Sequence, residues 1–295
     1  MFKRIIVVLV VIGIFSMLVA ESLEEKLRMF NEPNAIGFLQ PLANSMGAGM
    51  NSGLFNTAKV LKPFTPSLKI STAMVIVPSS DKTFIYESPM GELIKTGTVF
   101  GDLQGYVDEV GKLLPKGADL GLVPVPQISG SIGLPLGNEL MVRYWPEMNI
   151  EDLGSVWLWG VGLKHSIDQY LPGFFPIDLS VQAVYQEMNI ADIVDFNSFA
   201  VTALASKNIL MLTVYGGLGY EIAELNTKYT YDLGVESVPP MEVALDFQAQ
   251  NELRATIGAR VTVFPLVSVF ADYSIASTSG KTHPNTFNVG VGIGF

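Results

Sequence analysis

The last ten residues, 286–295, alternate strictly between apolar side chains and small or polar ones. Because successive side chains of a β-strand point to opposite faces, this pattern predicts a strand with one apolar and one nearly bare face. The bare face carries Asn288 and the glycines Gly290, Gly292 and Gly294. An apolar face of this kind meets lipid in a transmembrane β-barrel, whereas in a soluble protein it is usually covered. The residues of that apolar face are Phe287, Val289, Val291, Ile293 and Phe295.

The same alternation recurs upstream. In each segment one face is apolar and the other carries polar or charged residues, the pattern of a barrel with lipid outside and water or polar filling inside. A soluble sandwich would place its polar face outward and usually has shorter strands. With room for one more hairpin between residues 223 and 239, we predict an all-β, antiparallel transmembrane barrel of roughly 12 to 14 strands. The alternating segments are 67–76, 83–87, 127–134, 140–145, 157–164, 177–186, 198–203, 210–221, 241–248, 252–263, 267–275 and 286–295.

Residues 1–20 have the parts of a secretory signal peptide. Lys3 and Arg4 form a basic start, an apolar stretch follows, and Ala20 is the small residue expected before a cleavage site. The alternative is a retained membrane anchor, but the apolar stretch is short and the polar Glu21 follows it directly. We therefore expect an exported chain that begins near Glu21 and is located in the bacterial outer membrane.

Residues 21–60 lack the alternation of a strand. Residues 22–25, Ser-Leu-Glu-Glu, match a capping box and predict a short helix that ends before Pro33. Residues 43–53 are rich in Gly and Asn, which predicts irregular structure. In a barrel protein such a segment either plugs the lumen or hangs in the periplasm. We predict this role for residues 21–60 and a barrel formed by residues 61–295.

A second interruption of the alternation lies between Pro89 and about Pro124. Apolar residues from Leu103 to Leu114 recur at helical spacing between glycine and proline residues, which predicts one or two helical turns. We interpret this stretch as a long loop folded into the mouth of the barrel.

Composition excludes several classes of function. The chain has 49% hydrophobic residues and a mean hydropathy of +0.38, yet after the signal peptide no apolar run approaches the length of a spanning helix. It contains no cysteine, which excludes disulfides, thiolate metal sites and cysteine nucleophiles. The net charge of −10 argues against nucleic acid as a partner. No cofactor is predicted.

Charged and polar residues of mixed sign fall on the predicted inward face. Such a mixture more often forms ion-pair and hydrogen-bond networks than a selectivity filter, since a filter would cluster one sign. If the lumen is open, Arg143, Arg254 and Arg260 are the residues best suited to bind an anionic head group. The predicted lumen or ligand residues are Arg143, Trp145, Lys164, Asp178, Gln182, Glu221, Asp246, Arg254 and Arg260.

The sequence offers no catalytic constellation. Its histidines are His165, near a strand end in the outward phase, and His283, in a loop. A hydrolase would need a nucleophile, a base and an acid within hydrogen-bond reach, and no such group can be assembled from the sequence. Two histidines so far apart also predict no metal site. We therefore do not expect an enzyme.

Several stretches carry a resemblance to known proteins. Together with the signal peptide and the final strand, they resemble an uncharacterised family of bacterial outer-membrane β-barrels, which is distantly similar to the long-chain fatty-acid and aromatic-hydrocarbon uptake barrels. In bacterial outer-membrane barrels the final strand is the sorting signal read by the barrel-assembly machinery, and the resemblance implies this role for Phe287, Val289, Val291, Ile293 and Phe295. The uptake barrels have an N-terminal segment that plugs the lumen, and the resemblance implies the same for residues 21–60. The stretches are 38–53, 127–135, 143–146, 162–166, 170–172 and 251–258.

Two functions follow as hypotheses. The first is a passive uptake channel for small hydrophobic or amphipathic molecules, plugged by residues 21–60. The second is a closed structural or adhesive barrel whose interior is sealed by ion pairs and which transports nothing. Both imply the lipid bilayer and the barrel-assembly machinery as partners, and the first adds a small hydrophobic ligand.

Overall fold

The computed structural model describes residues 23–101, 107, 113–150, 154–172, 175–190, 193–232, 239–278, 281–282 and 284–294. Some of the sequence predictions concern residues outside these ranges. They are the signal peptide, Ser22 of the capping box, His283, Phe295 and most of the helical turn expected between Leu103 and Leu114.

Two helices precede the first strand. Helix α1 spans Leu23–Leu27 and ends before Pro33, as predicted, and helix α2 spans Glu32–Met50. Asn31 caps α2, because its side chain accepts a hydrogen bond from the backbone N–H of Asn34 at 3.3 Å. Neither helix has both the length and the apolar character needed to cross a membrane, a finding restricted to the described residues.

The prediction of irregular structure for residues 43–53 is wrong, because α2 extends through most of them. The two glycines in this part of α2 allow close packing against the barrel wall. A Cβ atom on Gly49 would lie 2.5 Å from Cγ2 of Val125, and one on Gly47 would lie 2.8 Å from Cβ of Ala223. Glycine lowers helix propensity, but here the surrounding wall overrides it.

Long antiparallel strands make up most of the remaining chain. Between them, short 3₁₀ turns occur at Ser79–Lys82 and Asp168–Tyr170. The strands are β1 (Pro66–Ile76), β2 (Thr83–Glu87), β3 (Leu93–Gly97), β4 (Leu122–Leu134), β5 (Asn138–Ile150), β6 (Gly154–Ser166), β7 (Asp178–Ile190), β8 (Val194–Ile209), β9 (Leu212–Tyr231), β10 (Met241–Gln248), β11 (Leu253–Phe264), β12 (Val267–Thr278), β13 (Lys281–Thr282) and β14 (Asn285–Gly294).

Ten strands close into an antiparallel barrel in the order β1, β4, β5, β6, β7, β8, β9, β11, β12 and β14, and β14 pairs with β1 to complete the ring. The predicted all-β barrel is confirmed, whereas the count of 12 to 14 strands is not. Two of the predicted strands lie outside the ring. Among the described residues β2 pairs with β3 in a separate hairpin, and β10 pairs with β9 alone.

Strand β9 extends past the rim of the barrel. Residues 212–220 pair with β11, and residues 224–231 pair with β10. Between these two registers, residues 249–252 oppose residues 221–223, which is a β-bulge. Strand β10 therefore continues the line of β11 beyond the ring. The described part of 223–239 contains the end of β9 where the sequence suggested an additional hairpin.

The two ends of the barrel differ in their connections. At one end, which we call the short-turn end, residues 135–137, 210–211 and 265–266 connect neighbouring strands. A longer connection, residues 167–177, lies at the same end. At the opposite end, the long-loop end, residues 77–121 form the longest connection, residues 232–240 join β9 to β10, and the β9–β10 extension projects. Strand β1 begins at the short-turn end, where β14 finishes.

Most side chains that point away from the barrel axis are apolar, and polar ones such as Glu187 and Asn197 lie toward the long-loop end of their strands. In β14 the outward set is Phe287, Val289, Val291 and Ile293, all exposed, which confirms the predicted phase of this strand. Outward rings such as those of Trp159 and Tyr185 pack edge to face, with centroids 6.0 Å apart. The role of these β14 residues as a sorting signal stays a prediction.

The predicted inward position of Asp246 is wrong. Asp246 and Glu242 of β10 are exposed, whereas Leu245 is buried and Val243 and Phe247 pack against the apolar core. The apolar face of β10 thus points inward, the reverse of the orientation in the ring. The reason is that β10 lies beyond the rim, where its apolar face covers α2 and its polar face meets water.

Candidate functional site

The lumen of the barrel holds residues 32–60, which we call the lumenal segment. Its helical part, α2, contacts β1, β4, β8, β9, β10 and β14, which surround it on different sides. Its extended part reaches the short-turn end, where the chain continues into β1. At that end the Phe64 N–H donates to Gly133 O at 2.7 Å. The segment therefore runs through the barrel from the long-loop end to the short-turn end.

The first half of the segment, residues 32–46, packs by apolar contact. Phe38, Leu39 and Met46 are almost completely buried in one cluster with wall residues of several strands. Phe30, just before α2, lies 5.2 Å from the ring of Phe38, centroid to centroid. This half thus forms a hydrophobic core between the helix and the long-loop end of the barrel.

Arg143 binds the carboxyl end of α2. Its side chain is 0% exposed, and Nη1 donates to Met50 O at 2.7 Å and to Oε1 of Gln186 at 2.9 Å. Nη2 donates to Ser52 O at 3.2 Å. A cation at this position satisfies carbonyl groups that a helix end leaves free, and it complements the partial negative charge there. Arg143 is therefore a structural ligand of the segment.

Arg254 holds the same region from the opposite side of the ring. It forms a bidentate ion pair with Glu221, with Nε to Oε2 at 2.7 Å and Nη2 to Oε1 at 3.1 Å. Nη2 also donates to Ala48 O at 2.9 Å, and Nη1 contacts the hydroxyls of Ser52 and Thr286, each at 3.3 Å. Both charges are buried. Their mutual attraction and their hydrogen bonds compensate the free energy lost when the two groups are removed from water.

Arg143 and Arg254 belong to a ring of wall side chains around the end of α2, which we call the collar. Uncharged side chains complete it. Nε2 of Gln127 donates to Gly49 O at 2.8 Å, and Nε2 of Gln186 donates to Met50 O at 3.0 Å. The hydroxyl of Ser198 donates to Oδ1 of Asn51 at 2.8 Å. Most of these contacts reach backbone atoms of the segment, so the wall recognises its chain path more than its side chains.

Toward the short-turn end the contacts become ionic. Nζ of Lys164 lies 2.9 Å from Oε2 of Glu139 and donates to Lys59 O at 3.2 Å, and Oε2 of Glu139 accepts from the Leu61 N–H at 3.1 Å. Lys69 donates to Leu54 O at 2.9 Å. The lysines therefore donate hydrogen bonds to carbonyls of the segment, and Lys164 also pairs with the carboxylate of Glu139.

A recess remains beside the extended part of the segment. Its cavity volume is about 50 Å³, and it lies against the bare strip formed by Gly292 and Gly294 of β14. The charged side chains lining it are Lys59, Lys69, Lys164, Arg260 and Glu139. Hydroxyl groups from Ser67, Ser131 and Ser268 and the amide of Asn56 also line it.

The structure places the predicted lumen residues in different surroundings. Arg143, Lys164, Glu221 and Arg254 form the contacts described above, whereas Asp246 lies outside. Gln182 reaches Leu54 O at 3.5 Å, and Oδ2 of Asp178 accepts from Ser206 at 3.3 Å. Trp145 is half-buried against the apolar cluster. Arg260 lines the recess.

The sequence prediction left out several side chains that hold the segment. They occupy inward positions in their strands, so their phase in the alternation was a usable signal. What the sequence lacked was the partner, because these side chains bind groups of the lumenal segment, and the path of that segment through the barrel was not predicted. These residues are Lys69, Gln127, Glu139, Gln186 and Ser198.

Solved structures with some similarity include Ail of Yersinia pestis bound to the heparin analogue sucrose octasulfate, at 12% identity, covering 79% of this chain and 100% of that chain, with a TM-score of 0.32. The translocator domain of the autotransporter NalP from Neisseria meningitidis has 12% identity, 89% and 97% coverage and a TM-score of 0.37. The outer membrane protein Omp33 of Acinetobacter baumannii has 11% identity, 79% and 98% coverage and a TM-score of 0.30. Similarities this low carry no argument about function.

No curated protein matches the chain. The distant similarity to fatty-acid uptake barrels stays a prediction from sequence, whereas the assignment to an uncharacterised family is confirmed. The family description matches residues 1–295, the whole sequence, and the chain therefore belongs to DUF6588, a family of unknown function.

Proposed function

We propose that this protein is a bacterial outer-membrane barrel that is sealed at rest by its own lumenal segment. The strongest support is that wall side chains hold the backbone of the segment at successive carbonyls, from Ala48 O through Met50 O and Leu54 O to Lys59 O. We expect a segment held at so many levels to leave no continuous water path beside it.

Strand length and surface character support insertion in a bilayer. Strands β4 to β7 have 13 residues each and β14 has 10, which meets the roughly 9–11 residues that a tilted strand needs to cross. Exposed apolar side chains around the outside of the ring would cost free energy in water and are favourable in lipid.

The width of the ring supports sealing. A barrel of about eight strands is just wide enough for side chains to fill, and wide aqueous channels occur in barrels of about 16–18 strands. Ten strands enclose a lumen only slightly wider than the smaller class. One helix followed by one extended chain is enough to fill it.

The orientation of the barrel in the membrane determines which end faces the exterior. In outer-membrane barrels the short turns face the periplasm and the longer loops face outward. The β2–β3 hairpin and the β9–β10 extension at the long-loop end would therefore face the exterior. We propose that the protein acts there, as a closed structural or adhesive barrel.

A second candidate is a gated channel in which the segment moves aside. The specific observation that favours it is the polar contact between wall and segment below α2, since water can replace hydrogen bonds of this kind. The polar lining favours polar or amphipathic solutes over hydrophobic ones.

Planar-bilayer conductance of the full chain tests both candidates. The sealed barrel predicts no steady current, and steady current through the unmodified protein would contradict it. Because the chain has no cysteine, a disulfide can be introduced between segment and wall without side reactions. The hydroxyls of Thr57 and Ser206 lie 3.1 Å apart, so the pair Thr57→Cys and Ser206→Cys is suitable.

The two candidates differ in their response to reduction. A gated channel predicts that the oxidised double variant stays silent and that reduction restores openings. A sealed barrel predicts silence in both states. Thr57→Cys alone is the matched control, because it carries a thiol without the ability to form the cross-link.

A further inference from the structure

Arg260 differs from the other lumen arginines in having no protein partner. Arg143 and Arg254 are bound to backbone carbonyls and, for Arg254, to Glu221. In the described part of the chain, Arg260 forms no hydrogen bond or ion pair through any of its guanidinium nitrogens. Its Nε is buried without a partner, as is that of Arg143, but Arg143 is held through both of its other nitrogens. A buried guanidinium donor without an acceptor costs free energy, so such a group usually has a ligand or water.

The charge around Arg260 is strongly unbalanced. Four cations, Lys59, Lys69, Lys164 and Arg260, line the recess against one carboxylate, Glu139. Glu139 is already paired with Lys164. Lys69 donates to the carbonyls of Gly53 and Leu54, which carry no net charge. The recess therefore has an excess positive charge that its own side chains do not neutralise.

The recess also offers a small cavity and neutral donors. Its cavity volume is about 50 Å³, several times what one water molecule needs, and it lies against Gly292 and Gly294, which leave the wall bare. The hydroxyls of Ser131 and Ser268 and the amide of Asn56 line the same space. Hydroxyl and amide donors beside a guanidinium fork are the groups that bind carboxylate and phosphate oxygens.

We propose that this recess is a binding site for a small oxyanion, either a phosphate or a carboxylate, with Arg260 as its principal ligand and Lys69 as a second charge. The site opens toward the short-turn end of the lumen. It requires no movement of the lumenal segment, because the recess is present with the segment in place and residues of the segment such as Asn56 and Lys59 form part of its lining.

The experiment is a calorimetric titration of the full-length protein in a zwitterionic detergent at low ionic strength. The probes are inorganic phosphate, acetate and a short-chain phosphatidic acid, titrated separately. We expect saturable binding of at least one probe, and Arg260→Gln should weaken that binding at least tenfold. Arg260→Lys keeps the charge but loses the planar guanidinium with its paired N–H donors. The affinity of this variant should therefore lie between those of the unmodified protein and Arg260→Gln.

Control variants separate a site from a general charge effect. Arg28→Gln removes an exposed cation at the long-loop end, paired with Glu24, and should bind as the unmodified protein does. Folding of each variant is checked by the shift in electrophoretic mobility on heating. If Arg260→Gln does not fold, Arg260→Lys and Lys69→Gln serve as the comparison.

The outcomes have distinct meanings. Binding of inorganic phosphate or acetate assigns the site to a soluble oxyanion, and binding of phosphatidic acid alone assigns it to a lipid head group. Absence of binding to all three probes would overturn the proposal. Equal affinity of the unmodified protein and the folded Arg260 variants would overturn it as well.

Discussion

The two halves of the lumenal segment are held in different ways. Residues 32–46 fill the long-loop half of the barrel with large apolar side chains such as Phe38 and Leu39, all buried. Residues 47–60 contain small residues at their start, and wall side chains bind their backbone carbonyls. One half is therefore held by side-chain packing and the other by recognition of the chain path.

This difference explains the composition of the segment. Where wall side chains bind carbonyls, the backbone of the segment must lie close to the wall. Gly47, Gly49 and Gly53 allow this because they have no side chain. Gly53 has φ of +62°, and a Cβ atom there would collide with the Gln127 side chain. A sequence rich in Gly and Asn thus indicates contact with the wall here, and not disorder.

The largest expected effect comes from removing the cation of the buried ion pair. Arg254→Gln leaves Glu221 charged and buried without its partner, which should lower the free energy of unfolding by about 3–5 kcal/mol. The measurement is equilibrium unfolding in guanidinium from lipid vesicles. Hydrogen exchange should increase most at residues 47–52, because Arg254 also binds Ala48 O.

A double variant tests the reason for that effect. Arg254→Gln combined with Glu221→Gln removes both charges, so it should be more stable than Arg254→Gln alone. Equal loss in the two variants would show that the hydrogen bonds to the segment, and not the unpaired carboxylate, dominate. Lys82→Gln, in an exposed pair with Asp119, is a suitable control and should change little.

The next effect probes the apolar half. Leu39 is 0% exposed, and Leu39→Ala should lower the free energy of unfolding by about 2–5 kcal/mol through lost burial and a cavity. Increased hydrogen exchange should be confined to residues 35–46. Leu210→Ala, at a residue 96% exposed, is the matched control. Loss of protection at 47–60 in Leu39→Ala would contradict the separation into two halves.

Alternation in the sequence was sufficient to predict the wall but not its contents. The inward phase of Arg143, Arg254 and Glu221 follows from a period of two, because both faces of a strand are fixed by its register. The apolar face of β10 was wrongly predicted to point outward, because alternation alone does not show where the ring ends and water replaces lipid. The helix α2 was not predicted, because it depends on wall contacts that are distant in sequence.

The smallest effect tests a single neutral contact of the collar. Ser198→Ala removes the hydrogen bond to Oδ1 of Asn51, which should lower the free energy of unfolding by about 1 kcal/mol. Nε2 of Gln186 approaches the same oxygen at 3.4 Å and can still serve it, which keeps the loss small. Combining Ser198→Ala with Gln186→Ala should therefore cost more than the two single changes together. Additive losses would mean that each wall group binds the segment independently and that the collar does not act as one unit.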